Sequence, residues 1–327
     1  MTYVYKRILL MLLVLSMVSL ISFALIDLPP GDYLTAYISQ LEMDGARFTP
    51  QQVEALRRQY GLGQSFFVRY AKWVSGFVRG DLGHSYEWNK PVEDLIAERL
   101  PFTLTISILA IMLTYAMAIP IGILSAVRQY SGWDYAFTVF GFIGLSIPEF
   151  MFALVLMFFF FKWFGLSIGG LFSQEFRNLP FSFAKLVDLL RHLPVPLIVI
   201  AFVGTAGIIR VMRGCLLDEL RKQYVVMAVA RGNSYRKVLF KYPVRIALNP
   251  IVSTVGWLLP SLLSGQTITA IVLDLPTIGP LLFSALLSQD MYLAGSLVMV
   301  LSALTVVGIF LSDILLVLLD PRIRYER

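Results

Sequence analysis

The stretch LPFTLTISILAIMLTYAMAIPIGILSAV, residues 100–127, contains no charged side chain. A helix needs about 20 consecutive apolar residues to cross the hydrocarbon core of a bilayer, so this stretch predicts a membrane-spanning helix. The composition of the whole chain agrees, because 57% of its 327 residues are hydrophobic, 15% are charged, and the mean hydropathy is +0.75. These values are typical of a membrane protein and not of a soluble protein with two or three domains.

Five further apolar runs accompany this stretch. The first follows Lys6 and Arg7 and is longer than the core of a signal peptide, so we expect a retained helix. One run is interrupted by a single acid, Glu149, and another is only just long enough to span. The sequence thus predicts an all-α integral membrane protein with six transmembrane helices, drawn from residues 8–26, 100–127, 135–161, 193–209, 246–273 and 291–312.

This pattern divides the chain into four parts. Residues 1–28 form an N-terminal transmembrane helix, and residues 29–99 form a sizeable extracytoplasmic segment between helices 1 and 2. We expect residues 100–319 to form a five-helix transmembrane core that includes a cytoplasmic loop at 210–247, and residues 320–327 to form a cytoplasmic tail. Within the extracytoplasmic segment, Thr49 is the expected N-cap of a helix that begins at Pro50.

Aromatic residues recur at helical spacing in SFFVRYAKWVSGFVRG, residues 65–80. Three roles fit this pattern. The aromatic rings pack a small subdomain, rest in the membrane interface as a belt, or contact a partner.

The charge distribution orients the helices. Residues 210–247 carry nine basic side chains against Asp218 and Glu219. Under the six-helix topology the side of the termini holds fifteen basic and five acidic residues, and the other side holds twelve basic and thirteen acidic. Basic residues accumulate in cytoplasmic loops, so we expect a multi-pass protein of the cell (inner) membrane with both termini cytoplasmic. The basicity reflects topology, and we expect no nucleic-acid partner.

The sequence offers no positive case for an enzyme. It contains no Gly-Lys dipeptide, so the phosphate-binding loop of P-loop ATPases is missing from this chain. Its two histidines, His84 and His192, are far apart, and Cys215 is the single cysteine. We therefore expect no catalytic residue, no metal site and no cofactor bound by this chain.

Glu149 is the one acid expected near the middle of a span. A carboxylate at that depth is expensive unless it faces a polar cavity or a partner, and Pro148 before it weakens the helix. Two roles stay open: Glu149 lines a solute path together with Ser146 and Pro148 and attracts a cationic group, or it pairs with a basic or hydroxyl group for structure.

The 210–247 segment contains a stretch without Pro or Gly, Tyr224 to Arg231, that favours a short helix, and residues 225–230 give it an apolar surface. Gly232 can adopt a positive φ and end that helix, and Asn233 and Ser234 are suitable N-caps for a second helix from Tyr235. A short apolar helix on a wet surface is either a protein interaction site or a helix lying on lipid headgroups. Composition alone leaves both open.

The segment QYVVMAVARGNSYRKVLFKYPVRIALNPIV, residues 223–252, resembles the signature loop of ABC importer permeases, and most closely the B-type permeases of the dipeptide/oligopeptide branch. Supporting stretches occur in the expected order: RGDLGHSY (79–86), GLSIPEF (144–150), DLPTIGPLL (274–282) and LLDPRIRY (318–325). The chain departs from the general signature at Val226, where the family has Glu, and at Met227, where it has Ala. Ala228 and Gly232 match.

The resemblance implies an import permease that forms half of a translocation path and works by alternating access. It implies four kinds of partner: a second homologous permease, two ATPase subunits that bind ATP and Mg²⁺, an extracytoplasmic solute-binding protein, and membrane lipid. The coupling residues it implies are Val225, Val226, Met227, Ala228, Val229, Ala230, Arg231, Gly232, Asn233 and Ser234.

Peptides are the leading substrate class by resemblance, with oligosaccharides, nickel complexes and glutathione as alternatives. A stand-alone secondary transporter or channel, or a membrane-embedded sensor, are the alternative functions.

Overall fold

The computed structural model describes residues 2–27, 33–43, 49–59, 64–165, 168–177, 179–180, 182–264 and 266–319. Helices account for almost all of the regular structure in these ranges. In chain order they are α1 (Thr2–Asp27), α2 (Tyr33–Met43), α3 (Pro50–Gln59), α4 (Phe66–Arg79), α5 (Val92–Val127), α6 (Gly132–Ser146), α7 (Glu149–Phe164), α8 (Phe183–His192), α9 (Pro194–Leu220), α10 (Gln223–Ala230), α11 (Tyr235–Lys241), α12 (Pro243–Ser264), α13 (Thr267–Val272), α14 (Ile278–Leu287) and α15 (Met291–Leu319).

Four stretches of the described chain are long and apolar enough to cross a membrane. They lie in α1, α5, α8 with α9, and α15, and the bent pair α6 and α7 would make a fifth. An all-α membrane protein is thereby confirmed. Helices α12 and α13 cover the remaining predicted span, but the side chains of residues 255–257 and 259–264 lie outside the described set. Six spans therefore stay a prediction. The cytoplasmic tail at 320–327 also stays a prediction, because it lies outside the described residues.

The first eleven residues of the predicted loop at 210–247 are helical. Helix α9 continues through residue 210 to Leu220, because nothing in RVMRGCLLDEL interrupts the helical pattern and its apolar side chains remain packed. Met212 and Leu216 are fully buried there. The helix that carries the predicted fourth span is therefore longer than the span itself, since α9 alone has 27 residues.

The chain divides into two compact units. The first comprises Met1–Phe102 and Thr277–Val306. Helix α3 begins at Pro50 as predicted, and Thr49 forms a capping box: its backbone N–H donates to the Gln52 side chain at 2.8 Å, and its hydroxyl accepts the Gln52 N–H at 3.4 Å. The aromatic face of α4 packs against α1 and α15, with Phe23, Trp73, Met291 and Met299 buried at the contact.

The second unit comprises Thr103–Pro276 and Val307–Arg327, and α9 lies at its centre. One buried cluster joins α9 to parts of α5, α11 and α12, with Met212, Leu216, Leu239 and Ile251 at its core. The helices approach closely where glycine stands. A Cβ added to Gly122 of α5 would lie 2.7 Å from Met212 Cβ, so this contact accepts no larger residue.

Candidate functional site: the α10–α11 segment and the α6–α7 break

Helix α10 is tied to the end of α9 through Glu219. The Glu219 carboxylate accepts the Tyr224 hydroxyl hydrogen bond and forms a 2.8 Å ion pair with Lys222 Nζ. Burial raises the pKa of Tyr224 above its ordinary value, and the hydrogen bond to Glu219 raises it further. Lys222 has an extended backbone and its carbonyl accepts the Val225 N–H at 3.0 Å. The start of α10 is therefore held in place by the helix before it.

The turn after α10 is built on Gly232. Its φ of +81° lies in the left-handed region, as predicted. The Gly232 N–H donates to the Val229 carbonyl at 2.9 Å and closes the helix. A Cβ added to Gly232 meets no atom within 4 Å. The requirement for glycine is thus one of backbone conformation and not of space.

The predicted N-caps of the second helix are only half right. Helix α11 begins at Tyr235, so Ser234 is in the N-cap position, but its side chain makes no capping hydrogen bond. Asn233 does not cap α11. Its side-chain amide donates to the Ala228 carbonyl at 2.9 Å and so caps the preceding helix instead. Asparagine side chains favour such local hydrogen bonds to the backbone. Here the side chain satisfies a carbonyl at the end of α10 that has no partner within the helix.

The two short helices have a buried side and an exposed side. Val225 of α10 is buried, as are Val238 and Leu239 of α11. Elsewhere on α10, Val226 is 61% exposed and Met227 55%, and Val229, one turn after Val225, is 39% exposed. We call these three residues the exposed apolar face of α10. Basic side chains, all exposed, flank it in sequence at Arg231, Arg236, Lys237 and Lys241.

A second feature is the break between α6 and α7. Helix α6 ends at Ser146, Ile147 and Pro148 are extended, and α7 begins at Glu149, with a bend of 102° between the two helices. Pro148 weakens the helix here as predicted, but the result is a complete break between two helices and not a kink within one helix. Proline disfavours the helical conformation in the residue before it, and Ile147 at φ −93° and ψ 122° ends the helix there.

Glu149 accordingly lies at the first position of α7 and not in the middle of a helix. Thr269 of α13 hydrogen bonds to its carboxyl group. Within the described residues, its Oε1 atom is buried and has no hydrogen-bond partner. The hydrogen bond with Thr269 fits the structural role of Glu149, and the Oε1 atom stays open to a ligand. Ser146, the other residue predicted for the path, donates its hydroxyl to the Phe142 carbonyl of its own helix at 2.7 Å.

The sequence did not reveal a buried ion pair between α6 and α9. Arg213 Nε and Nη2 donate to the two carboxylate oxygens of Asp134, and the Ser125 hydroxyl of α5 donates to the same carboxylate. Asp134 is 2% exposed. No sequence signal connects two residues that are this far apart in the chain. Each residue alone gives a weak signal: Asp134 is an acid in the first turn of a helix, and Arg213 is an arginine among packed helices, which needs a partner.

In the described part of the chain, no three His, Cys, Asp or Glu side chains lie close enough together to hold a metal ion. His84 pairs by backbone with Pro91, and His192 Nδ1 lies 2.9 Å from the Asp188 carbonyl.

A multi-pass helical chain with an exposed helix–glycine–helix segment between longer apolar helices has the features of a transport permease. Comparison with known proteins gives the family. Residues 118–325 match the binding-protein-dependent transport system inner membrane component, and residues 1–107 match the N-terminal part of the membrane component of such systems. The chain belongs to this family of ABC importer permeases, within the oligopeptide/dipeptide branch, as the resemblance predicted.

Three relatives are similar along their whole length. The oligopeptide transport system permease protein AppB of Bacillus subtilis is 34% identical, over 99% of both chains. The oligopeptide transport system permease protein OppB of Haemophilus influenzae is 29% identical, and the dipeptide transport system permease protein DppB of Alkalihalophilus pseudofirmus is 28% identical, each also over 99% of both chains. The chain is therefore a multi-pass inner-membrane permease subunit of a transporter.

Proposed function

We propose that this chain is one permease subunit of an ATP-driven importer, and that it forms half of a path for peptides or a related solute. The names of the relatives support the solute class, since they describe oligopeptide and dipeptide transport. A second homologous permease completes the path, and an extracytoplasmic binding protein delivers the solute.

Energy enters through the exposed apolar face of α10. This face is presented by a helix that is held at both ends, by Glu219 before it and by the packed Leu239 after it. A separate ATPase subunit, which binds ATP and Mg²⁺, accepts the face in a groove, and the flanking basic residues contact the rim or lipid headgroups. Two such ATPase subunits close on ATP and move the segment, and the helices then switch between inward-facing and outward-facing states.

The charge distribution supports the orientation. In the proposed orientation the 210–247 segment, with its excess of basic residues, and both termini face the cytoplasm. Six spans follow if α6 with α7 and α12 with α13 each cross the membrane as broken helices. Broken helices are where transporters build solute sites, because their free helix ends and unpaired polar groups face a cavity.

Glu149 is the proposed contact of this chain with the solute. Its buried Oε1 is open among the described residues, and a carboxylate there attracts a positively charged group of the solute, such as the amino terminus of a peptide.

The single observation that carries the proposal is the exposure of Val226, Met227 and Val229 on an anchored helix. The test is uptake of labelled peptide into proteoliposomes that contain the chain with its partner subunits and binding protein. We expect uptake only when ATP is supplied and hydrolysed on the side of the membrane where α10 lies. Uptake by the chain alone, driven by an ion gradient, would instead support a secondary transporter.

A further inference from the structure

Helix α4 has two faces of different character. The inner face is aromatic and packs on Phe23 of α1; it consists of Phe66, Tyr70, Trp73 and Phe77. The ring centroids of the first three lie 5.4–5.6 Å from the ring centroid of Phe23. On the outer face Phe67 is 76% exposed and Val78 is 81% exposed. These two residues are eleven positions apart, which is about three helical turns, so they lie on the same side of the helix.

The depth of α4 can be read from α1 when the ends of the apolar stretches of the spanning helices are taken as the hydrocarbon boundary. The Tyr70 hydroxyl lies 2.8 Å from Ser19 Oγ, and Ser19 is seven residues inside the end of the apolar stretch Leu9–Ile26. At about 1.5 Å per residue, Tyr70 touches α1 roughly 10 Å below the membrane boundary. Phe23, which carries the aromatic contacts, lies about 4.5 Å below it by the same rise per residue.

Helix α15 gives an independent reading of the same depth. Trp73 Nε1 donates to Ser296 Oγ at 3.3 Å, and Met299 belongs to the same buried cluster. These residues are five and eight positions inside the apolar stretch that begins at Met291, or about 7 and 12 Å by the helical rise. Both spanning helices therefore place the centre of α4 about 5–12 Å inside the hydrocarbon boundary, the depth of an interfacial amphipathic helix.

The charges of α4 fit the same position. Its only charged residues are Arg69, Lys72 and Arg79, and it has no acidic residue. Arg69 Nη1 lies 3.9 Å from the sulfur of Met291, the first residue of the apolar stretch of α15, and thus at the level of the boundary. Lysine and arginine side chains of interfacial helices extend toward the phosphate groups while their helix stays in the acyl region.

We infer that α4 is embedded in the phospholipid leaflet at the C-terminal end of α1, with Phe67 and Val78 in the acyl chains and Lys72 and Arg79 at the phosphates. The occupant of the exposed face is lipid, because Phe67 and Val78 lie about 100° around the helix from the aromatic cluster, at the same hydrocarbon depth, while Lys72 and Arg79 lie on the remaining side. In the orientation proposed above this is the outer leaflet. Residues 66–79 then belong to the membrane and not to a water-exposed extracytoplasmic segment.

Collision accessibility of nitroxide spin labels tests this placement. The full-length chain, in a Cys215→Ser background, is labelled at Phe67→Cys, at Val78→Cys or, as a control, at Ala55→Cys on the polar helix α3, where Ala55 is exposed. Each variant is reconstituted in bilayers of phosphatidylcholine and phosphatidylglycerol. We expect labels at 67 and 78 to collide with oxygen several-fold more than with a water-soluble nickel chelate, and the label at 55 to show the reverse.

Two results would overturn the inference. Nickel accessibility at 67 and 78 equal to that at 55 would place the outer face of α4 in water. Protection of both labels from oxygen and nickel alike would show that protein, such as a second copy or a partner subunit, covers the face. Because Phe67 and Val78 are tested separately and both are exposed, failure of one variant to fold leaves the other as a test.

Discussion

The guanidinium group of Arg213 on α9 holds the carboxylate of Asp134 on α6 with two hydrogen bonds, of 2.7 and 2.8 Å. The Tyr130 N–H adds a third at 2.9 Å. This pair joins the helix that leads to the α10–α11 segment with the helix that leads to the α6–α7 break. Movement of α9 under the pull of an ATPase would therefore carry the start of α6 with it.

Removal of one partner from this pair should be strongly destabilising. Asp134→Asn leaves the Arg213 charge uncompensated at a largely buried site, and such losses cost about 3–5 kcal/mol. Thermal unfolding of the purified protein in detergent measures the effect, with Asp218→Asn, an exposed acid on the same helix as Arg213, as the matched control. The double variant Asp134→Leu with Arg213→Met should be more stable than either single variant. A loss for Asp134→Asn no larger than for the control would show that the pair does not hold α6 to α9.

The turn at residue 232 should accept only residues that tolerate a positive φ. Because a Cβ at this position has open space, Gly232→Ala should cost about 1–2 kcal/mol through backbone strain alone, and Gly232→Asn less. Gly232→Pro cannot adopt the conformation and also removes the N–H that donates to Val229, so it should abolish uptake while membrane insertion persists. Gly214→Ala in helix α9, which also has open space around its Cβ, should be neutral or stabilising. Peptide uptake normalised to membrane-inserted protein distinguishes these variants, and equal uptake by Gly232→Pro and Gly214→Ala would contradict the role of the turn.

The sequence predicted this segment well because its signals are local. An uncharged helical stretch, one glycine and the residues after it determine α10, the turn and α11 within a few positions. The weak point at Pro148 was predicted, but the bend of 102° was not, since a count of apolar residues measures length and cannot give a bend. The Asp134–Arg213 pair was missed for a different reason. Its partners are distant in the chain, and the charge count placed Arg213 in a loop that is in fact the last part of α9.

The pH dependence of stability should reveal the Tyr224–Glu219 hydrogen bond. The folded state holds the Tyr224 proton more tightly than the unfolded state, because its pKa is raised. The stabilisation is therefore complete below the unfolded pKa of about 10 and is lost as the pH rises above it. Tyr224→Phe should be less stable than the wild type by about 1 kcal/mol at pH 8, with a difference that shrinks at higher pH. Unfolding midpoints at pH 8 and at alkaline pH give this difference, with Tyr242→Phe as the control. A difference that is constant with pH would count against the proposed hydrogen bond.

Glu149→Gln should discriminate between solutes by charge. It removes the negative charge and keeps the shape of the side chain, so uptake of peptides with a positive group should fall relative to uptake of neutral analogues. Competition between the two classes in proteoliposomes measures the ratio, and Glu175→Gln, an exposed acid elsewhere in the chain, serves as control. If the ratio is unchanged over a range of pH, Glu149 has the structural role that its Thr269 contact suggests.

The central claim is that the exposed apolar face of α10 docks an ATPase subunit. A photo-crosslinking amino acid placed at Met227, in the intact transporter in native membranes, tests it directly. We predict a crosslink from residue 227 to a nucleotide-binding subunit and a much weaker one from Val211, an exposed position on α9. We also predict that Met227→Asp releases that subunit on purification while Val211→Asp does not. Crosslinks from residue 227 to lipid alone, with the ATPase subunits retained by Met227→Asp, would contradict the claim.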